Sequence, residues 1–279
     1  MEEVFEVVID NISKKMEGNI NEGDYVIDGL LYCCRCNTKK QTVVNFMGKQ
    51  KVVNCLCKCK ADELKREEEE RQQAMMNLRI EKLRVMGFPE SEMSKWTFAN
   101  DDHTNEKITQ IAKNYVENFE QMKQRGKGLL FYGTVGTGKS YISACIANAL
   151  IDKGYPCLMT NFARLVNTIS GMYDGKQQYI DNLNKYPLLI IDDLASERDT
   201  EYMNEIVQNI IDSRYRSGLP TIITTNLSGE EIKNPVDIRK QRTYSRLLEM
   251  CIPIEVKGTD RRREKLKDDY KEFSGLLGL

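Results

Sequence analysis

GLLFYGTVGTGKSYISACIANAL, Gly128 to Leu150, decides the fold. Gly128–Tyr132 is an apolar run of strand length, and Tyr141–Leu150 has helical spacing. Ile142, Cys145, Ile146, Ala149 and Leu150 share one face of that helix, and Gly154 stops it. Between them GTVGTGKS, Gly133–Ser140, fits G-x-x-x-x-G-K-S/T in the strand–loop–helix context that the motif requires. Gly133, Gly136 and Gly138 allow backbone conformations closed to other residues, and a close approach to a phosphate. The amides of Gly133, Thr134, Val135, Gly136, Thr137 and Gly138 are expected to turn inward on the anion. The helix opening at Lys139, Ser140 and Tyr141 adds partial positive charge. Lys139 supplies a full charge for the β- and γ-phosphates, and the Ser140 hydroxyl suits Mg2+. The expected ligand is a nucleoside triphosphate.

Further apolar runs at 155–160, 187–192, 220–225 and 251–256 alternate with helical patterns. Repeated βαβ units predict an α/β fold with a mainly parallel sheet. PLLIIDDLASE, Pro187–Glu197, is a core strand ending in two aspartates. Such a pair at the end of a buried strand calls for a cation. Asp192 fits a Mg2+ holder acting through water, and Asp193 fits the base that polarises the attacking water. PTIITTN, Pro220–Asn226, is another such strand. Parallel strands present ligands at their carboxyl ends, so Asn226 should lie near the γ-phosphate.

Composition sets the limits. With 41% apolar and 30% charged residues, the chain fits a globular protein long enough for one large domain and a small one. Its net charge of −1 gives no sign of nucleic acid binding by itself, but residues 1–30 carry eight acids and two bases, and residues 31–60 seven bases and no acid. The single histidine, His103, argues against Ser-His and Cys-His nucleophilic catalysis. No run reaches membrane-spanning length, and the acidic start MEEVFEVVID lacks a signal peptide's basic region. The expected location is cytoplasmic, where nine cysteines argue against a disulfide framework.

Six of those cysteines lie in CCRC (33–36) and CLCKC (55–59). The spacing predicts a tetrahedral Zn2+ site on Cys33, Cys36, Cys57 and Cys59, with Cys55 a rival for the second pair and an iron–sulfur cluster the competing group. Between the halves, TVVNFMGKQKVV reads as a hairpin turning at Gly48, and residues 2–18 as a short amphipathic helix. Residues 60–86 hold no Gly or Pro and read as a charged linking helix, with a partner-binding coiled coil as the alternative. The expected division is a zinc-binding domain over 1–60, a helical linker over 61–87 and a triphosphate-binding domain over 88–279. Cys145, Cys157 and Cys251 fall on core elements as small apolar residues.

Taken in order, GLLFYGTVGTGKSYISACIANAL, LLIIDDLASE, RYRSGLPTIITTNL, YSRLLEMC and GTDRR resemble an AAA+ ATPase. The nearest resemblance is to DnaC/DnaI-type replicative helicase loaders, with IstB-type transposition ATPases related. It covers about residues 88–279, and the cysteine-bearing part is similar to the zinc domain of some loaders. The resemblance implies an ATPase with Gly133–Ser140 as Walker A, Asp192-Asp193 as Walker B and Asn226 as sensor 1. It implies that Arg246 is an arginine finger reaching ATP in a neighbouring subunit, and that Arg262, or else Arg261, is the sensor 2 arginine. Asp193 stands where AAA+ proteins usually carry glutamate, which implies slow turnover. Few residues follow the fifth strand, so no separate lid domain is expected.

The same resemblance implies a hexameric DnaB-type replicative helicase and single-stranded DNA as partners, and ATP-dependent self-assembly. Tyr173, Lys176 and Tyr179 offer the aromatic and basic groups that single strands favour. An IstB-type helper of transposition, a small-molecule kinase and an ATP-bound adaptor with little turnover are the competing functions. The cysteines argue against the first, and the TTN and SRL segments against the second.

Overall fold

The computed structural model describes residues 20–46, 48–88, 90, 92–102, 104–195 and 200–277. The helix expected over 2–18 and His103 lie outside these residues. The chain divides into two compact units, the first ending at Asn77 and the second beginning at Leu78.

The first unit is built on two short antiparallel hairpins. β1 (Tyr25–Ile27) pairs with β2 (Leu30–Tyr32), and β3 (Gln41–Phe46) pairs with β4 (Lys49–Asn54). Gly48, at φ 77°, supplies the left-handed step that turns the second hairpin, where the sequence places it. The first hairpin exposes Tyr25, Val26 and Ile27, and the second Val43, Val44 and Val52. Helix α1 (Lys58–Gly87) follows.

The second unit holds a five-stranded, all-parallel sheet in the order β6-β7-β8-β5-β9. Its strands are β5 (Gly128–Tyr132), β6 (Cys157–Asn161), β7 (Leu188–Leu194), β8 (Thr221–Thr225) and β9 (Cys251–Glu255). The helices between and around them are α2 (Glu106–Glu117), α3 (Phe119–Gln124), α4 (Lys139–Asp152), α5 (Phe162–Gly171), α6 (Lys176–Leu183), α7 (Glu201–Ser217), α8 (Gly229–Lys233), α9 (Ile238–Met250) and α10 (Arg261–Leu277). The α/β architecture read from the sequence is the one observed. Among the described residues, α10 follows the last strand.

Period-two alternation divides the core. Leu129, Phe131, Leu188, Ile190 and Ile222 face one apolar cluster, with α2, α4 and the side chains of Ile80 and Leu83. Leu130, Leu189, Ile191 and Ile223 face the other, with α5, α6, α7 and α9. Helix α4 is buried on more sides than one stripe implies: Ser143, Ala144 and Ala147 join the expected face. The short helices around Met93–Lys95 and Phe98–Asn100 cover it, and Asn148 donates to the Met93 and Trp96 carbonyls at 3.0 and 2.9 Å. Cys145, Cys157 and Cys251 are buried as expected, and burial pushes each thiol up to about 12.

At the amino ends of the strands lies Arg214, 1% exposed. It donates to the carbonyls of Leu183, Tyr186, Pro187 and Pro220 and to the Thr221 hydroxyl, so one side chain on α7 ties the starts of β7 and β8 together. Burial lowers its pKa to about 10, which leaves it charged at neutral pH. Arg214→Ala strands these acceptors, each worth ~1–3 kcal/mol when unmet. Urea unfolding should show a loss of at least ~3 kcal/mol.

Candidate functional site

The strand order places β8 between β5 and β7. The carboxyl ends of three neighbouring strands therefore carry the glycine loop, Thr224 to Asn226, and the two aspartates side by side. The loop leaves β5 at Gly133, whose φ of 129° and close packing on the Val256 carbonyl leave no room for a Cβ. Gly138, at φ 91°, caps α4. Lys139 is 7% exposed and its ammonium donates to the carbonyls of Gly133 (2.9 Å) and Thr134 (2.7 Å). Burial lowers its pKa, against the opposing pull of Asp193 and Asp192. Thr137 closes the turn by donating to the Thr134 carbonyl at 3.0 Å. Val135 is half exposed at the tip.

From the loop a polar chain crosses the strand ends. Ser140 Oγ donates to Asp192 Oδ1 at 2.9 Å, and Thr224 Oγ1 donates to the same oxygen. The Asp193 amide donates to Thr224 Oγ1 at 2.9 Å, and Asn226 Nδ2 donates to Asp193 Oδ1 at 3.1 Å. Burial raises the Asp192 pKa, and the Thr224 and Ser140 hydroxyls oppose that rise. Ser140, Asp192, Asp193 and Asn226 are thus brought together, with Lys139 on the same loop.

A backbone device makes the chain of contacts possible. The β7–β8 register slips by one residue between Ile191 and Leu194, and Asp193 takes φ 62°. A bulge re-aims side chains that plain pleating would send to opposite faces. Left-handed backbone at a non-glycine residue is strained, and such strain gathers at functional sites. The run IIDDL gives no sign of it. Thr224 was also missed as a site residue: it reads as strand, and only its place between β5 and β7 gives it both aspartates.

The other candidates lie apart from this centre. Tyr141 turns from the loop, donates to the Thr97 carbonyl at 2.9 Å and packs on Trp96 with ring centres 5.8 Å apart. Arg261 lies over the loop: a Cβ on Gly138 would sit 3.2 Å from its guanidinium carbon, and its amide donates to the Gly136 carbonyl at 3.1 Å. It also reaches Thr104 and Asp102. Arg262 is exposed, though its charge opposes that of Lys139. Asp260, another residue missed in the sequence, crowds Gly136. Arg246 is on α9, ion-paired with Asp212 of α7. Tyr173 is fully exposed, Tyr179 packs on the apolar core, and Lys176 sits 5.6 Å over the Tyr202 ring and hydrogen-bonds its hydroxyl.

In the first unit, the sulfurs of Cys33, Cys36, Cys57 and Cys59 all lie within 4.8 Å of one another. The Cys33–Cys59 and Cys57–Cys59 separations are 3.6 and 3.4 Å. A tetrahedral ion with ~2.3 Å bonds to sulfur sets its ligands about 3.8 Å apart, so the cluster fits one ion of that kind and is too tight for several irons. The Thr38 hydroxyl lowers the Cys36 thiol, while the neighbouring sulfurs raise Cys59. Four thiolates this close require a cation. Cys55 turns instead toward the Lys39 carbonyl, and Cys34 is exposed. The buried Lys40–Asp24 ion pair and a hydrogen bond from the Cys34 amide to Asp24 brace the knuckle.

The chain is 26% identical over 167 residues to the replicative helicase loader DnaI of Bacillus subtilis, covering 56% of this chain and 52% of the relative. It is 29% identical over 125 residues to the replicative helicase loader DnaC of Escherichia coli, covering 43% and 50%. The chain thus spans about half the length of the curated relatives it matches. The crystal structure of DnaI superposes with a TM-score of 0.53 at 23% identity, over 61% of this chain and 96% of that one. A primosome component structure from Streptococcus pyogenes gives 0.52 at 24%, over 62% and 92%, and both likenesses are of fold. A family model matches residues 31–268, and the chain belongs to the family it describes, the IstB-like ATP binding proteins.

Proposed function

We propose that this chain is a cytoplasmic ATPase that loads a hexameric replicative helicase onto single-stranded DNA. The observation that carries the catalytic part is the hydrogen-bonded chain Ser140–Asp192–Thr224–Asp193–Asn226 beside Lys139. The loading part is supported by the relatives named as replicative helicase loaders. Among the described residues no helix is long and apolar enough to cross a membrane.

In this reading the loop amides and Lys139 hold the phosphates of ATP, and Ser140 with Asp192 holds Mg2+, which supplies charge neutralisation at the phosphates. Asp193, oriented by Asn226 and by its own amide on Thr224, takes a proton from the attacking water. Aspartate reaches less far than glutamate, so turnover is slow alone and rises with partner or DNA. Arg261, packed on the loop, and Arg262 beside it read the nucleotide in the same chain, and Arg246 reads it in a neighbour. Tyr173 is the outermost of the groups offered to single-stranded DNA. Zn2+ on Cys33, Cys36, Cys57 and Cys59 staples a unit with little apolar core, and that unit meets the helicase. The family's description keeps an IstB-type role in transposition as the second reading.

Lys139→Ala should lose ATP binding in calorimetry, whereas Asp193→Asn should bind ATP and lose roughly 10²–10⁴ in turnover, as expected for a general base. Normal turnover by Asp193→Asn would remove the base assignment. Purified chain should contain one zinc by metal analysis. Cys57→Ser should lose it and the hairpin signals in amide exchange, and Cys55→Ser should keep both. Pull-down with the host's hexameric helicase and ATP should retain the chain. Capture by a transposase on duplex DNA instead, with the helicase ignored, would favour the second reading.

A further inference from the structure

Arg246 sits one helical turn before Met250, where α9 feeds the amino end of β9, and β9 pairs with β5 from Cys251 beside Gly128. The glycine loop leaves the other end of β5. Strands of five residues put about 17 Å between these two edges of the sheet. Arg246 therefore does not serve the phosphate site of its own chain.

Its surroundings are built to hold it. Arg246 Nη1 pairs with Asp212 Oδ1, and both atoms are shut from solvent. The guanidinium carbon lies 5.6 Å from the centre of the Tyr215 ring. Tyr215 is fixed in turn, its hydroxyl donating to Glu249 Oε1 on α9 at 2.9 Å. Further contacts hold helix α7 beneath these groups. Asn184 donates to Ser213 at 2.9 Å, and Arg214 is bolted to the strand starts. Each residue of DSRY, Asp212 to Tyr215, thus anchors either Arg246 or the helix under it. Yet the Arg246 side chain stays 22% exposed. A guanidinium has five N–H donors. With Nη1 buried on Asp212, the exposure belongs to the rest of the side chain.

From this we infer that Asp212 and Tyr215 are positioning residues for Arg246, fixing the plane of its guanidinium so that the outer donors meet the triphosphate bound by a second copy of the chain. The inference rests on the reading of Arg246 as a group acting in trans. A free arginine would sample many rotamers, whereas a docked one enters the neighbouring site already aimed. The chemistry is hydrolysis of the terminal phosphoanhydride by water. Asp212 neither touches phosphate nor moves a proton.

The test is ATPase turnover of the full-length chain against protein concentration at saturating ATP and Mg2+, with ATP affinity measured separately. Arg246→Ala should lose about 10³-fold or more of the concentration-dependent turnover while binding ATP normally. Asp212→Asn should lower kcat by about 10–100-fold, the effect of misplacing a catalytic group, with KM and ATP affinity within about twofold. Asp212→Glu should recover part of that loss. The double variant Asp212→Asn, Arg246→Ala should be no slower than Arg246→Ala alone, since both changes act through one group. If Arg246→Ala is inactive while Asp212→Asn turns over normally, or if the two losses multiply, the positioning role is overturned and the trans reading stands. If Arg246→Ala turns over normally, the trans reading falls first. Should Asp212→Asn melt early, Tyr215→Leu decides: a matching fall in kcat with unchanged melting supports the role, and unchanged kcat overturns it.

Discussion

The carboxylate of Asp192, half-buried at the tip of a core strand, is the constraint around which the site of the second unit is arranged. A buried anion requires hydrogen bonds or a cation close by. Ser140 and Thr224 supply two hydroxyls to one of its oxygens, from the loop after β5 and from β8. Those donors are available because β8 lies between β5 and β7, although it follows both in sequence. The bulge after Ile191 belongs to the same arrangement, because it brings Asp193 onto Thr224 and Asn226.

The cysteine unit applies the same physics with sulfur. Two hairpins of this size bury too little apolar surface to order themselves. Four thiols within 4.8 Å of one another concentrate negative charge when ionised, and one tetrahedral cation relieves it. Lys40, buried with Asp24, adds positive charge nearby. The flanking thiols Cys34 and Cys55 are excluded by direction, since each turns to a backbone carbonyl, of Glu22 and of Lys39.

Helix α7 joins two sets of contacts. On one side Arg214 ties it to the strands that end in Asp193 and Asn226. On the other, Asp212 and Tyr215 grip Arg246. One helix thus carries both the anchor of the strand starts and the groups that hold Arg246. At the loop itself, Arg261 and Asp260 bring the start of α10 onto Gly138 and Gly136. The start of that helix thus contacts the phosphate loop directly.

Much of this was legible in the residues. The glycine loop, the apolar strands and their polar tips are local patterns, because strand and helix periods and the glycine spacing act over a few residues. They gave the parallel α/β fold, the group Lys139, Ser140, Asp192, Asp193 and Asn226, and the core placement of Cys145, Cys157 and Cys251. Where spacing left a choice among Cys55, Cys57 and Cys59, only the folded knuckle set the direction of each sulfur. The strand order, the bulge at Asp193, the two hydrogen bonds of Thr224 and the packing of Arg261 over the loop likewise came from tertiary structure. So did the pairing of Arg246 with Asp212, residues 34 apart in the chain. Local periodicity fixes which face of an element is apolar. It carries no information on which distant element will cover that face, so contacts between elements are decided only when the sheet closes and the helices pack on it.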